Sequence, residues 1–222
     1  MSKRKILILA TALCMVAILA VGGTLAYFTA EDSATNEFTV GNVKIDLIEP
    51  KWDEIGKHEA KDAYPGEALA KNPQVVNTGN NPCFVRIKVE GLEQFVKKYG
   101  KDAKIGLRYI DAEGVYHEGI NKTDWEYNEA DGYYYYKKVL ATVATAGDAW
   151  NVGLVAKTPE LFSQIVIPTQ LKNDEKTEPV ELKAYAVQAQ GARPSWSAVQ
   201  AMTVADIAAW FETCKPIDDN WN

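Results

Sequence analysis

Two short pieces of the sequence begin like a zinc-binding motif. His58-Glu59 and His117-Glu118 each open the pattern His-Glu-x-x-His, which sets two imidazoles one helical turn apart so that both reach one metal ion. Position 62 is Asp and position 121 is Asn, so neither pattern closes. Both histidines also lie in polar, turn-like stretches, and they read as solvated surface residues with no metal between them. The cysteines are Cys14, Cys83 and Cys214. A thiol nucleophile at Cys83 would need an activating base that the sequence does not place, and its alternation with apolar neighbours suits a core position better. No Gly-x-Ser-x-Gly elbow or phosphate-cradling glycine loop occurs, and Asp218-Asp219-Asn220 reads as a solvated tail. These residues point to no catalytic site, no metal and no cofactor. The remaining candidate is aromatic: Tyr133-Tyr134-Tyr135-Tyr136 puts two rings on each face of a strand, and Trp52, Trp125, Trp150 and Trp196 sit near loops. A carbohydrate platform is one use of such rings; filling a core with a favoured strand residue is the plainer one.

The elements that would carry these residues are mainly strands. Residues 43–49 alternate Val43, Ile45 and Leu47 with Lys44 and Asp46, and residues 36–40 form a strand before Gly41-Asn42. In residues 83–90, Cys83, Val85, Ile87 and Val89 point one way while Arg86, Lys88 and Glu90 point to water. Further strands are expected at 74–77, 105–110, 125–127, 133–140, 161–167 and 180–190, separated by turn chemistry such as Pro65-Gly66, residues 77–82 and residues 111–114. Leu92, Phe95, Val96 and Tyr99 fall at helical spacing. Thr203-x-x-Asp206 ahead of Ile207, Trp210 and Phe211 has the form of a capping box. The expectation is an all-β fold: a single antiparallel β-sandwich with short helical insertions.

Composition narrows the function. The 222 residues hold 24 Lys and Arg against 30 Asp and Glu, a net charge of −6, with no basic block to neutralise a phosphate backbone. Nucleic acid is therefore an unsuitable partner. The amino terminus opens with Lys3, Arg4 and Lys5, continues as an apolar run to about Gly23, and carries no charge between Lys5 and Glu31. The order of basic, apolar and small residues reads as a secretory signal peptide over residues 1–26. A membrane anchor is the competing reading, since the run approaches the roughly 20 residues of a spanning helix, but it ends in glycines and Thr24-Leu25-Ala26 rather than in basic flanks. Cleavage after Ala26 would make Tyr27 the mature terminus and would confine membrane contact to the precursor. It removes 26 of 222 residues, three of them basic and none acidic, which leaves 196 residues at a net charge of −9. Cys14 would leave with the signal; Cys83 and Cys214 are too few for a disulfide framework, although a bridge is allowed outside the cell.

One ordered set of residues carries a family resemblance. Gly22-Gly23-Thr24-Leu25-Ala26-Tyr27-Phe28-Thr29, followed by Thr35-Asn36-x-Phe38-Thr39-Val40-Gly41, is similar to the SipW-dependent class of signal peptides. Val43-x-Ile45-x-Leu47-x-Glu49, Trp52-Asp53, Tyr64-Pro65-Gly66 and Asn77-Thr78-Gly79 follow, leading into Phe84-Val85-Arg86-Ile87-Lys88-Val89. Asp131-Gly132 with the tyrosine run, Pro159-Glu160-Leu161-Phe162 and residues 184–189 complete the set. Together they resemble the TasA/camelysin family, in particular its BsaA-type biofilm-matrix branch, over nearly the whole chain. Residues 141–156 depart from that pattern, being longer and less turn-like.

The resemblance implies a jelly-roll-like sandwich, secretion through a dedicated signal peptidase, and self-association into extracellular matrix fibres, with a minor fibre subunit as a further partner. It also imports a rival function, because camelysin-like members have been classed as metallopeptidases; the residues lack the zinc pair that role needs. A cell-surface carbohydrate-binding adhesin is the third class. On the fibre reading, residues 27–42 form an extended segment ahead of the sandwich domain at 43–222. Residues 27–34 then serve as a donor strand, with Tyr27, Phe28, Thr29 and Ala30 at its leading end, entering the edge or groove of a neighbouring copy.

Overall fold

The computed structural model describes residues 43–142, 154–172, 175, 177–214 and the backbone of Ile217–Asp218. The chain divides into two units, Met1–Val40 and Gly41–Asn222, and every element below belongs to the second. The expected strand at residues 36–40, the signal segment and most of the divergent stretch at 141–156 lie outside the described residues.

Eleven strands are described: β1 (Ile45–Ile48), β2 (Ala68–Ala70), β3 (Gln74–Asn77), β4 (Cys83–Glu90), β5 (Gly106–Ile110), β6 (Tyr116–Glu118), β7 (Trp125–Asn128), β8 (Tyr133–Tyr136), β9 (Gln164–Val166), β10 (Glu181–Gln188) and β11 (Ile217–Asp218). They form three antiparallel sheets, ordered β1-β3, β11-β10-β4-β8-β7 and β2-β9-β5-β6. Helices are few and short. A π-helical turn Trp52–Gly56 continues as α1 (Lys57–Glu59), and α2 (Val96–Tyr99), α3 (Trp196–Gln200) and α4 (Val204–Thr213) follow. No helix among the described residues is long and apolar enough to cross a membrane. The fold is all-β in its framework.

The alternation in residues 83–90 sets the architecture. Cys83, Val85 and Ile87 join Ala184 and Ala186 of β10, Trp125 of β7 and Tyr136 of β8 in one core. The same core takes Ile45 and Val75 from β1 and β3 and Leu69 and Ile165 from β2 and β9, so all three sheets contribute apolar side chains to it. Trp125, which the sequence suggested near a loop, is buried here.

The other face of β4 departs from the expected polar surface. Phe84 and Arg86 are both buried, Arg86 to 7% exposure, and Lys88 is half-buried. A second core covers that face, where Phe84, Tyr135 and Val187 meet Val199, Ile207 and Phe211 of α3 and α4. The five-stranded sheet is thus buried on both sides over its middle, which a lone antiparallel strand pattern does not reveal. The carboxy-terminal helix is the cover. Its capping box forms as expected: the Thr203 hydroxyl accepts from the Asp206 amide at 3.3 Å, and the Asp206 carboxylate accepts from the Thr203 amide at 3.0 Å.

The register explains how Arg86 is tolerated. Tyr185 of β10 and Tyr135 of β8 stand directly opposite it on either side. The Arg86 guanidinium lies 3.9 Å from the Tyr133 ring centroid and 4.4 Å from that of Phe211. One of its amino groups donates to the Tyr135 hydroxyl at 2.9 Å, which in turn donates to Asp131 at 2.6 Å. Burying the cation is compensated by stacking and by one charge-assisted chain. We expect Val85→Asp and Arg86→Asp to destabilise alike, each by about 3–5 kcal/mol, since each leaves an uncompensated buried carboxylate. Urea unfolding followed by circular dichroism reads both; wild-type stability for the Arg86 variant would contradict this packing.

Candidate functional site

The residues singled out for chemistry are kept apart by the fold. His58 sits exposed on α1, and His117 sits on the exposed strand β6, where its ring shares a hydrogen bond of 2.7 Å with Asp111. Among the described residues, no group of three His, Cys, Asp or Glu side chains is placed to hold a metal ion. Cys83 is wholly buried in the first core, and burial pushes its thiol well above the ordinary range. Cys214 packs against the second core on the opposite face of the sheet; both thiols are free. The tyrosine run divides as the period demands. Tyr134 and Tyr136 turn to the first core, their hydroxyls pushed up to about 12 by burial, while Tyr133 and Tyr135 pack with Arg86 on the second face. Among the described residues, the rings most open to solvent are Tyr64, Tyr116 and Tyr127. Ala26, Tyr27, Phe28, Thr29 and Ala30 lie outside the described residues.

The feature that the sequence did not announce is a groove of about 1000 Å³. Its floor is apolar: Leu69 of β2, Ile165 of β9 and Ile167 just beyond it, with Ile105 ahead of β5. Leu69 and Ile165 are cross-strand partners, so their side chains share one face of the sheet. One wall is the π-helical turn, which begins after Pro50, where the missing amide of proline costs nothing in a first turn. It is tied to β2 at several points. The Lys51 amide donates to Asn72 Oδ1 at 2.7 Å, and Ala70 donates its amide to Glu59 at 3.3 Å. Gly56 lies against the same edge, where a Cβ would stand 2.0 Å from the Ala70 carbonyl oxygen. The wall can approach the strand only because this residue has no side chain.

Inside that wall sits a buried ion pair. The Lys71 side chain is 5% exposed and that of Glu49 18%. The Lys71 ammonium lies 2.8 and 2.9 Å from the two carboxylate oxygens of Glu49, and 4.4 Å above the Trp52 ring centroid. The Oε1 contact is close but off the hydrogen-bonding direction, so this buried oxygen keeps an unused lone pair. Nothing in the run Ala68-Leu69-Ala70-Lys71-Asn72 marks Lys71 as buried. Its carboxylate partner is 22 residues away and only the fold brings them together.

The opposite rim is a strap from Lys172 to Val180, whose described residues also line the groove. It is fastened to the segment around α2. The Gln94 side-chain amide donates to the Glu178 carbonyl at 2.9 Å and accepts from the Glu178 amide at 2.6 Å. Lys98 and the Tyr99 hydroxyl both donate to the Glu175 carboxylate. Those two bonds, Lys98 first, hold the Glu175 carboxyl below its ordinary range and raise the Lys98 ammonium.

Compared with protein-family models, with curated proteins and with solved structures, the chain matches none. The site therefore stands on its own geometry: a trough with an apolar floor, a charged rim and one buried ion pair on its wall.

A carboxyl whose folded-state pKa is lowered contributes stability that is present above its ordinary pKa and lost as pH falls through the lowered folded value. The strap should therefore be fastened at neutral pH and loosen only as acidification passes below the ordinary carboxylate range. Hydrogen exchange at the Glu178 amide should accelerate over that descent beyond the intrinsic pH effect. In Glu175→Gln it should already be fast at neutral pH, with the pH dependence flattened.

Proposed function

We propose that this chain is a secreted structural subunit of extracellular matrix fibres, related to the TasA/camelysin family, and that it acts by self-association rather than as an enzyme. In this reading the sheets form a jelly-roll-like sandwich, residues 1–26 are a signal removed by a dedicated peptidase, and residues 27–34 are a donor strand for a neighbouring copy. The observation that carries it is the groove whose apolar floor belongs to the core of an antiparallel fold. Protein interiors are close-packed, and a trough floored by Leu69, Ile165 and Ile167 is what a fold completed by another segment leaves open. Strand donation from one copy to the next is heterologous and need not close, so it propagates as a filament. Holding the donor within an uncleaved precursor would delay assembly until export.

The rival readings have less support. A camelysin-like peptidase needs a donor set that His58 and His117, on separate elements, do not supply together. An adhesin using the tyrosine strand would have to free rings that Arg86 and the two cores now hold.

The test is microscopy of the purified mature protein. Amino-terminal sequencing should begin at Tyr27, and Ala26→Leu should leave the precursor in the membrane. The mature chain should form fibres under negative stain, whereas deletion of residues 27–34 should leave a folded monomer that forms none. Normal fibres from the truncated chain would end the donor-strand reading, and chelator-sensitive peptide hydrolysis by the mature protein would revive the peptidase.

A further inference from the structure

We propose that the bare edge of β6 is a contact between two copies of this chain, which pair antiparallel about a two-fold axis at His117 and so extend the sheet β2-β9-β5-β6 from one copy into the next. The contact is separate from the groove and from the donor strand.

The two ends of that sheet differ. The β2 end is covered: Gly56 packs against the Ala70 carbonyl, and the Ala70 amide donates to Glu59. At the other end Tyr116, His117 and Glu118 are all exposed, and Val115 and Tyr116 stay 52% and 63% open to solvent. The ladder shows which backbone groups are free there. The Asp111 amide donates to the Val115 carbonyl at 3.1 Å, and the Gly119 amide to the Leu107 carbonyl at 2.8 Å. Between them Tyr109 stands opposite His117. Antiparallel alternation therefore turns the backbone groups of Val115, His117 and Gly119 toward β5, and the N–H and C=O of Tyr116 and Glu118 away from it. Among the described residues no backbone partner meets those four groups. Residues 115–119 also hold no lysine or proline, the usual guards of an open edge.

The spacing of the two free residues suits a second copy. With His117 facing its own counterpart, Tyr116 of one copy falls opposite Glu118 of the other, and each couple exchanges two backbone hydrogen bonds. On one face the stacked Tyr109 and His117 rings, 6.1 Å apart, continue into the same two rings of the second copy. The charges agree with this register. The hairpin tip of one copy, with exposed Glu113, runs toward the segment after Gly119 in the other. Lys122 is exposed there, and the Lys137 ammonium donates to the Lys122 carbonyl at 2.6 Å. An acidic tip thus meets a basic corner twice, once on each side of the axis. An unrelated strand could satisfy the backbone edge but would not supply both halves of that pairing.

Such a contact is isologous, so it closes as a pair and does not propagate by itself. Three residues a side make it weak and transient between isolated copies. On a fibre of the kind proposed above the edge recurs at every subunit, and many weak contacts would tie filaments side by side.

The experiment uses the mature chain carrying Cys214→Ser, which leaves the buried Cys83, and adds His117→Cys. Facing residues that share no backbone hydrogen bond have Cα atoms about 4.5 Å apart, within reach of a cystine. Glu118 and its own counterpart would lie roughly 7–8 Å apart, beyond that reach. Under mild oxidation His117→Cys should give a dimer linked through position 117, at least about tenfold faster than Glu118→Cys gives its own. Non-reducing electrophoresis and mass spectrometry of the linked peptide read both. No link at position 117, or equal rates at the two positions, would overturn the paired edge.

A charge swap then tests the register. In the His117→Cys chain, Glu113→Lys or Lys122→Glu alone should slow linkage about fivefold, and the two together should restore it. Both side chains are exposed, so neither reversal disturbs a core. Single variants that link at the original rate, or a double variant that stays slow, would overturn this register.

Discussion

A single buried cation organises one side of this molecule. Arg86 lies in the middle of β4, where an apolar residue would be unremarkable and a charge is expensive. Its neighbours are fixed by sheet register: Tyr185 and Tyr135 across the two ladders, with Tyr133 one diagonal step away. Phe211 closes the guanidinium from the helix side at 4.4 Å. The helix is held in turn by its Thr203–Asp206 cap and by Trp210, whose indole donates to the Gln188 carbonyl at 2.8 Å. Remove the cation and the second core loses a contact that joins sheet to helix beside those of Phe84, Tyr135 and Val187. One guanidinium nitrogen, Nε, is buried without a hydrogen bond, so the compensation is incomplete and the site has little tolerance for further loss.

How much of this was legible in the sequence follows from range. Alternation is local, and it identified β3, β4, β7 and the inward set Cys83, Val85 and Ile87. The capping box is local too, and it marked α4 correctly. What failed was exposure. Arg86 and Lys88 occupy the polar phase of the strand, but whether that phase meets water depends on a helix more than a hundred residues later. Strand ends were also overdrawn. Residues 133–140, 161–167 and 180–190 shorten to Tyr133–Tyr136, Gln164–Val166 and Glu181–Gln188, because ladders stop where partners diverge. The turn after Pro50 and the helix at Trp196 were missed, since neither has the length that makes a helical period visible.

The groove was invisible for the same reason in stronger form. Its floor comes from β2, β9 and the approach to β5, its wall from the turn at Trp52, and its rim from the strap at Lys172 to Val180. Of those segments, only the turn with β2, and β9 with the strap, adjoin in sequence order. The site arises from the order β2-β9-β5-β6, which places a short edge strand beside the returning chain.

The placement of the two described thiols carries a consequence of its own. Cys83 faces one core and Cys214 flanks the other, with the five-stranded sheet between them. Burial also keeps the Cys83 sulfur protonated and shielded from other thiols. Among the described residues the two sulfurs are thus held apart by the sheet, and the half-buried Cys214 is the one of the two that an oxidant can reach without opening a core.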